Sequence, residues 1–318
     1  MNFVLGTMTF GESVFSPEIK EFIQIFLDHG NIELDTAYVY NEGKCEKLLG
    51  EALGDFDREK FKISTKINPR ISGKLDREAA FTQLNESLER LCVENVDTLY
   101  LHFPDPNTPV EDVLQACSEL YNEGKFKELG LSNFPAWMVS DIWNKCDKNN
   151  WVKPSVYQGI YNPLTRKSEV ELNDAIDNYK MRFYAFNPMA GGLLTGKYVN
   201  YDEEPVIGRF NNRPNYKGRY WKKSFFEAVK QLDDVTKKYN ISLVDAVYRW
   251  LAFNSMLNDE RGDAIIIGAS KIQHLKQNLS AIDKGPLPKE VCDIFEEAWN
   301  ITKADSPEYF RYYKRNSR

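Results

Sequence analysis

Eight short runs rich in β-branched and aromatic residues recur along this chain, and helical patterns separate them. The strand-like runs are Phe3–Met8, Asn31–Leu34, Phe61–Thr65, Val96–Leu101, Lys127–Leu131, Ser155–Gly159, Arg182–Phe186 and Ala264–Ile267. Between them the apolar spacing predicts helices over Pro17–Asp28, Glu46–Leu53, Arg77–Leu91, Val110–Glu123, Ala136–Asn149, Glu169–Tyr179 and Leu243–Phe253. Alternation of this kind implies parallel strands joined by right-handed crossovers. Eight repeats on a continuous chain favour an α/β fold of the (β/α)8 TIM-barrel type, with residues 1–318 as one domain. Two segments exceed the repeat: a long insert after the seventh strand, about Thr195–Tyr239, and an extra helix, Lys289–Ile301, with a tail beyond it. An open doubly wound sheet is the alternative, but its glycine-rich fingerprint after the first strand is missing.

A net charge of -6 argues against a nucleic-acid or anionic-membrane surface. No apolar run approaches the roughly 20 residues that span a bilayer, and the start, MNFVLGTMTFG, lacks signal-peptide character. Five cysteines without C-x-x-C spacing read as reduced thiols in a cytoplasmic protein, and dispersed His29, His102 and His274 suggest no metal site.

In such a barrel, catalysis belongs at the carboxyl ends of the strands. Those ends carry Asp35, Lys66, His102, Ser132 with Asn133, Gln158 and Asn187, and Tyr40 follows Asp35 in the next loop. Each has a plain structural explanation. Asp35 serves as a helix cap, Tyr40 as a loop aromatic, Lys66 as a snorkelling lysine, His102 as a core histidine, and Ser132-Asn133 as a cap. Their convergence on one rim points instead to a site, because burying such groups unpaired costs ~1–3 kcal/mol each.

The four candidates Asp35, Tyr40, Lys66 and His102 suit carbonyl chemistry. Tyrosine is a poor acid near neutrality, with a reference pKa of about 10. An adjacent ammonium favours its phenolate, and a carboxylate beyond keeps that lysine charged. Tyr40 then becomes a proton donor to a carbonyl oxygen that His102 orients. A hydride must come from elsewhere, and a nicotinamide cofactor supplies one. The last strand leads through Gly-Ala-Ser to a helix start at Ser270, with Lys271 beside it, which is the usual barrel phosphate position. The glycine-rich turn NPMAGGLLTGK, 187–197, lets backbone approach a ligand, although paired glycines also mark plain turns.

With these residues assembled, the chain resembles the aldo-keto reductase superfamily over nearly its whole length. The segments DTAYVY, STK, LHFPD and GKFKELGLSNF resemble its signatures. VYQGIYN, RFYAFNPMAGGLLTGK, GRF, RYW and SPEYFR are similar to the branch of aflatoxin-aldehyde and succinic-semialdehyde reductases. The resemblance implies an NADPH-dependent reductase of carboxylated semialdehydes, dialdehydes and aromatic aldehydes, with Asp35, Tyr40, Lys66 and His102 as its catalytic tetrad. Around NADPH it puts Asp35, Ser132, Asn133, Gln158, Asn187, Pro188, Met189, Ala190, Gly191, Gly192, Leu193, Leu194, Thr195, Gly196, Lys197 and Arg209. The same implication covers Ser270, Lys271, Ile272, Gln273, His274, Leu275, Lys276, Gln277 and Asn278. Met8, His102, Tyr216, Arg219 and Arg311 are implied to face the substrate, and the branch suggests a homodimer. The chain departs from the branch at His274, where glutamine is usual near the adenosine 2′-phosphate, and in the seven residues after Arg311.

Two rivals stay in view. Lys66 at a strand end suits a Schiff-base aldolase, although Asp35 would keep it protonated. A nucleotide-sensing binding protein similar to potassium-channel β-subunits also shares the tetrad. In the tail, Pro307 is expected to help end the helix, Tyr309 and Phe310 to anchor a return over the rim, and the last residues to stay loose.

Overall fold

The computed structural model describes residues 1–313. Eight parallel strands close on themselves in chain order. They are β1 (Asn2–Gly6), β2 (Glu33–Asp35), β3 (Lys62–Ile67), β4 (Val96–Leu101), β5 (Phe126–Ser132), β6 (Pro154–Ile160), β7 (Arg182–Phe186) and β8 (Ala264–Ile267). Closure is made where Asn2, Phe3, Val4 and Leu5 pair with Ala264, Ile265, Ile266 and Ile267. The expected (β/α)8 barrel is therefore the fold.

Alternation along the strands sends one set of side chains inward and the other against the helices. The inward set of Val4, Tyr100, Val156, Tyr184, Ala264 and Ile266 fills the barrel axis. Gly130 is required by this filling, since a Cβ there would meet the Tyr100 ring at 2.4 Å. Toward the amino ends of the strands, Arg182 pairs with Glu128 at 2.5 Å, and Tyr184 donates to Glu33 at 3.1 Å. That end is plugged, which leaves the carboxyl ends for chemistry.

The helices bury one stripe each. In Glu18–Asp28 it consists of Ile19, Phe22, Ile23 and Phe26, the spacing of a single helical face. Caps fix several starts: Asp76 accepts from the Ala79 N–H at 3.0 Å, and Ser242 from the Asp245 N–H at 3.1 Å.

Element boundaries differ from the expectation where pairing decides them. β1 stops at Gly6 rather than Met8, because β8 ends at Ile267 and β2 at Asp35. β3 runs on to Ile67, so Lys66 lies inside the strand and not after it. The second helix begins at Lys44, and the helix expected over Glu169–Tyr179 shortens to Leu172–Asn178 after a single turn at Lys167–Glu169. The insert is folded: it holds helices Arg209–Asn212, Pro214–Tyr220 and Lys223–Lys238. Trp221 packs edge-on to Tyr198, Phe210 and Phe226 at its centre.

The final helix, Lys289–Thr302, stops before Pro307, so that proline turns the chain without ending the helix. The tail then returns over the rim. Tyr309 is buried and its hydroxyl accepts from the Ala136 N–H at 3.0 Å, Arg311 N–H donates to Asn133 O at 3.0 Å, and Tyr313 N–H to Pro104 O at 2.9 Å. The segment expected to be loose, 314–318, lies outside the described residues. No helix among the described residues is long and apolar enough to cross a membrane.

Candidate active site

Asp35 ends β2 and is 2% exposed. One of its oxygens, Oδ1, accepts from Lys66 Nζ at 2.6 Å, Ser64 Oγ at 2.9 Å and Gln158 Nε2 at 2.9 Å. Lys66 is fully buried and gives a second hydrogen bond to Thr36 O at 2.6 Å. Burial depresses its pKa, and the adjacent Asp35 charge and hydrogen bond oppose that change. Held by two acceptors and fully buried, Lys66 does not line the cavity at the carboxyl ends of the strands, which counts against the aldolase reading.

The Tyr40 ring lies 5.3 Å from Lys66 Nζ and 6.2 Å, edge-on, from His102. Its loop is held by several contacts. Asn41 and Glu42 adopt left-handed backbone, Asn41 Nδ2 donates to Phe10 O at 3.0 Å, and Arg213 reaches Asn41 Oδ1 at 3.2 Å. Behind it, fully buried Glu46 accepts from Thr65 Oγ1 at 2.5 Å and Arg90 Nε at 2.7 Å, pinning the following helix to β3. Burial pushes the Tyr40 pKa well above its usual value, and Asp35 adds to the rise. The expectation of a lowered Tyr40 pKa is overturned, because desolvation of the buried ring outweighs the lowering by nearby positive charge. Tyr40 therefore carries its proton at neutral pH.

His102 follows β4 and is buried, and its pKa falls well below the usual value through burial and then the charges of Lys66 and Arg70. Its Nδ1 lies 3.1 Å from Asn68 Nδ2. The Asn68 amide is oriented by its own Oδ1, which accepts from the Arg70 N–H at 3.0 Å, so Nδ2 is the group that faces the ring. An amide nitrogen can only donate, so Nδ1 is the acceptor and Nε2 carries the ring proton.

These groups line a cavity of about 290 Å³ at the carboxyl ends of the strands. Of the expected residues, Met8, Asp35, Tyr40, His102, Ser132, Asn133, Gln158, Asn187, Pro188, Met189, Gly191, Gly192, Arg209, Tyr216, Arg219 and Arg311 line it. Lys66 lies behind Asp35. Ala190, Leu193, Leu194, Leu275 and Asn278 are buried away from the cavity, and Thr195, Gly196 and Lys197 continue the glycine turn beyond its wall. Ser270, Lys271, Gln273, His274, Lys276 and Gln277 are exposed outside it, with Ile272 half-buried at the helix start. That helix runs Ile272–Ser280, so it starts two residues after Ser270.

The family comparison now has a geometry to meet. The model of the Aldo/keto reductase family matches residues 2–300. The chain belongs to this family. As an aldo/keto reductase it is an oxidoreductase, and relatives named aflatoxin B1 aldehyde reductase agree with the branch that the sequence resembled. Aldo-keto reductase family 7 member A3 of Homo sapiens is 43% identical over 97% of this chain and 96% of its own length. Aflatoxin B1 aldehyde reductase member 2 of Homo sapiens is 42% identical over 97% of this chain and 89% of its own length.

The donor set of this aldo/keto reductase fits a dinucleotide. Gly191 and Gly192 take positive φ of 71° and 103°, and nothing lies within 4 Å of the place a Cβ would take at Gly192. The hydroxyl of Ser132 and the amides of Asn133 and Gln158 offer hydrogen bonds on one wall, and Arg209 offers charge. On the rim, burial and then the charges of Lys271 and Lys197 hold the His274 pKa down, so three basic groups gather near one helix start.

Sequence reasoning missed Asn68, Arg70, Phe103 and Arg213. Asn68 was findable: it lies two residues after Lys66 in an extended run, hence on the same side, and precedes a proline as helix caps do. Arg70, Phe103 and Arg213 carry no such signal.

Proposed function

We propose that this aldo/keto reductase is an NADPH-dependent aldehyde reductase that converts aldehydes, carboxylated semialdehydes among them, to alcohols. The observation that carries the reading is the buried Lys66–Asp35 pair at 2.6 Å directly behind the Tyr40 ring, with His102 edge-on at 6.2 Å. The names of the relatives support aldehydes as the substrate class.

Ser132, Asn133, Gln158, the 187–197 turn and Arg209 would hold the cofactor, with Lys197, Lys271 and His274 toward its 2′-phosphate. When bound, the nicotinamide supplies the hydride. The protein's own part is proton management. The His102 Nε2–H donates to the carbonyl oxygen and aims it. Tyr40, protonated because it is buried beside Asp35, gives the oxygen its proton as negative charge develops there. The charge and hydrogen bond of Asp35 favour the ammonium form of Lys66, whose positive charge would stand 5.3 Å from the Tyr40 ring when the phenolate forms. Arg219 and Arg311 at the mouth would receive a substrate carboxylate.

The test is NADPH oxidation against a panel of carboxylated and neutral aldehydes, repeated with Tyr40→Phe. That variant keeps the ring packing and loses the acid, so kcat should fall by roughly 10²-fold or more while NADPH binding holds. Near-normal kcat in Tyr40→Phe removes Tyr40 from the mechanism, and no turnover with any aldehyde removes the reading.

A further inference from the structure

Five arginines line the cavity: Arg70, Arg209, Arg213, Arg219 and Arg311. Arg213 is neutralised by Glu12 at 2.6 Å, and Arg209, proposed to hold the cofactor, lies 5.1 Å over the Tyr216 ring. The other three come from separate parts of the chain: the residues after β3, the insert helix Pro214–Tyr220 and the tail. None has a carboxylate partner among the described residues. Elsewhere Arg58, Arg77, Arg90, Arg166, Arg182 and Arg261 are ion-paired, and Arg249 spends its donors on the Gly285 and Pro286 carbonyls. In a chain of net charge -6, acids are available, so three open guanidinium groups at one mouth mark a place kept for an anion.

All three are held in position without acids. The Arg70 guanidinium lies 4.2 Å over the Phe103 ring, and Phe103 stacks on His102 at 4.7 Å. Arg219 lies 5.7 Å over Tyr216, and Arg311 is tied through its backbone to Asn133, whose side chain donates to His102 O at 3.0 Å. Arg70 and Arg311 are thus linked to His102 through Phe103 and Asn133, and Arg219 rests on the cavity-lining Tyr216. Their repulsion is felt: although both side chains reach solvent, the Arg70 pKa falls through partial desolvation and then Arg311 and Arg219, and that of Arg311 through partial desolvation and then Arg219.

A single carboxylate has two oxygens and one charge. It relieves one or two guanidinium groups and leaves the third repelled. We infer that the mouth is built for a carbonyl substrate bearing two negative charges, as a dicarboxylate or a phosphate monoester, with Arg70 on the β3–β4 side joining Arg219 and Arg311 in holding the dianion. This rests on the reductase reading for the carbonyl, whereas the charge count stands on the arginines alone.

The experiment is calorimetric titration of the full chain at low ionic strength with benzoate, benzene-1,3-dicarboxylate and phenyl phosphate, which needs no turnover. At least one dianion should bind about tenfold or more tightly than benzoate, as charge-assisted pairs with Arg allow. Preference for the dicarboxylate or for the phosphate identifies which source of double charge the site takes. Arg70→Ala should bring the dianion-to-benzoate ratio close to one, and Arg70→Lys should recover part of it. Arg70 is exposed, so matching melting temperatures will show that the variants fold. Equal affinities in the wild-type chain, no measurable dianion binding, or a ratio that survives Arg70→Ala overturns the inference. Benzaldehyde reduction by NADPH, measured in parallel, separates the two ideas: turnover without dianion preference sinks only the arginine site, and dianion preference without turnover sinks only the reductase.

Discussion

Replacing Asn68 by aspartate offers a sharp check on the proton map of the site. Asn68 is fully buried, caps the turn at Pro69–Ser72 through Oδ1, and donates from Nδ2 to His102 Nδ1 at 3.1 Å. Aspartate keeps the shape and the cap but turns the donor into an acceptor. The neutral imidazole must then place its proton on Nδ1, and Nε2 loses the hydrogen that would meet the carbonyl oxygen. Loss of one such donor to a developing oxyanion is worth roughly 10²–10³-fold in kcat. The new carboxylate also raises the His102 pKa, which in the native chain is well below the usual value of about 6.5. Below the raised pKa the imidazolium keeps both N–H groups and activity survives; as pH rises through it, Nε2–H is lost. Asn68→Asp should therefore lose activity relative to wild type as pH rises, whereas Asn68→Ala, giving up about 1 kcal/mol of hydrogen bond, should fall only about fivefold without that slope. The assay is kcat against pH for the three proteins, with ¹⁵N chemical shifts of His102 reporting the tautomer. Parallel pH profiles for Asn68→Asp and wild type would refute the assignment of the proton to Nε2.

Three further outcomes follow from the same geometry. Asp35→Ala strands a fully buried ammonium, so the variant should lose ~3–5 kcal/mol of stability by urea denaturation, and a loss under about 1 kcal/mol would mean that Lys66 sheds its proton or finds water. The His274 pKa in the free chain lies below its usual value, and a bound 2′-phosphate favours the imidazolium; NADPH affinity should weaken as pH rises through that titration while NADH affinity stays level, and matching profiles would remove His274 from the phosphate site. Arg311→Ala should raise KM for a four-carbon semialdehyde about tenfold and change KM for a neutral aromatic aldehyde little; equal changes would mean that the tail only shapes the pocket.

Much of this protein was legible in its sequence because the signal was local. Strand and helix periods, eight times repeated, specify a barrel through the handedness of each crossover. Strand ends named Asp35, His102, Ser132, Asn133 and Gln158 because a parallel barrel sends every strand end to one rim. The tail's return was readable from Tyr309 and Arg311 only with the family resemblance, since a terminal arginine alone looks like any exposed charge.

Other properties depend on neighbours distant in the chain. Whether Tyr40 is a strong or weak acid turns first on how far the fold buries it, and residues as distant in the chain as Tyr216 and Arg213 act on it as well. The tautomer of His102 is set by an amide 34 positions away, itself oriented by the Arg70 backbone. The arginine mouth unites 70, 219 and 311, and no periodicity relates those positions. Sequence alone determined the barrel and which residue types reach its rim, because backbone periods act over a few residues. Only the tertiary structure decided the charges and proton positions there, because Coulomb interactions, desolvation and hydrogen-bond direction depend on distances in space and not along the chain.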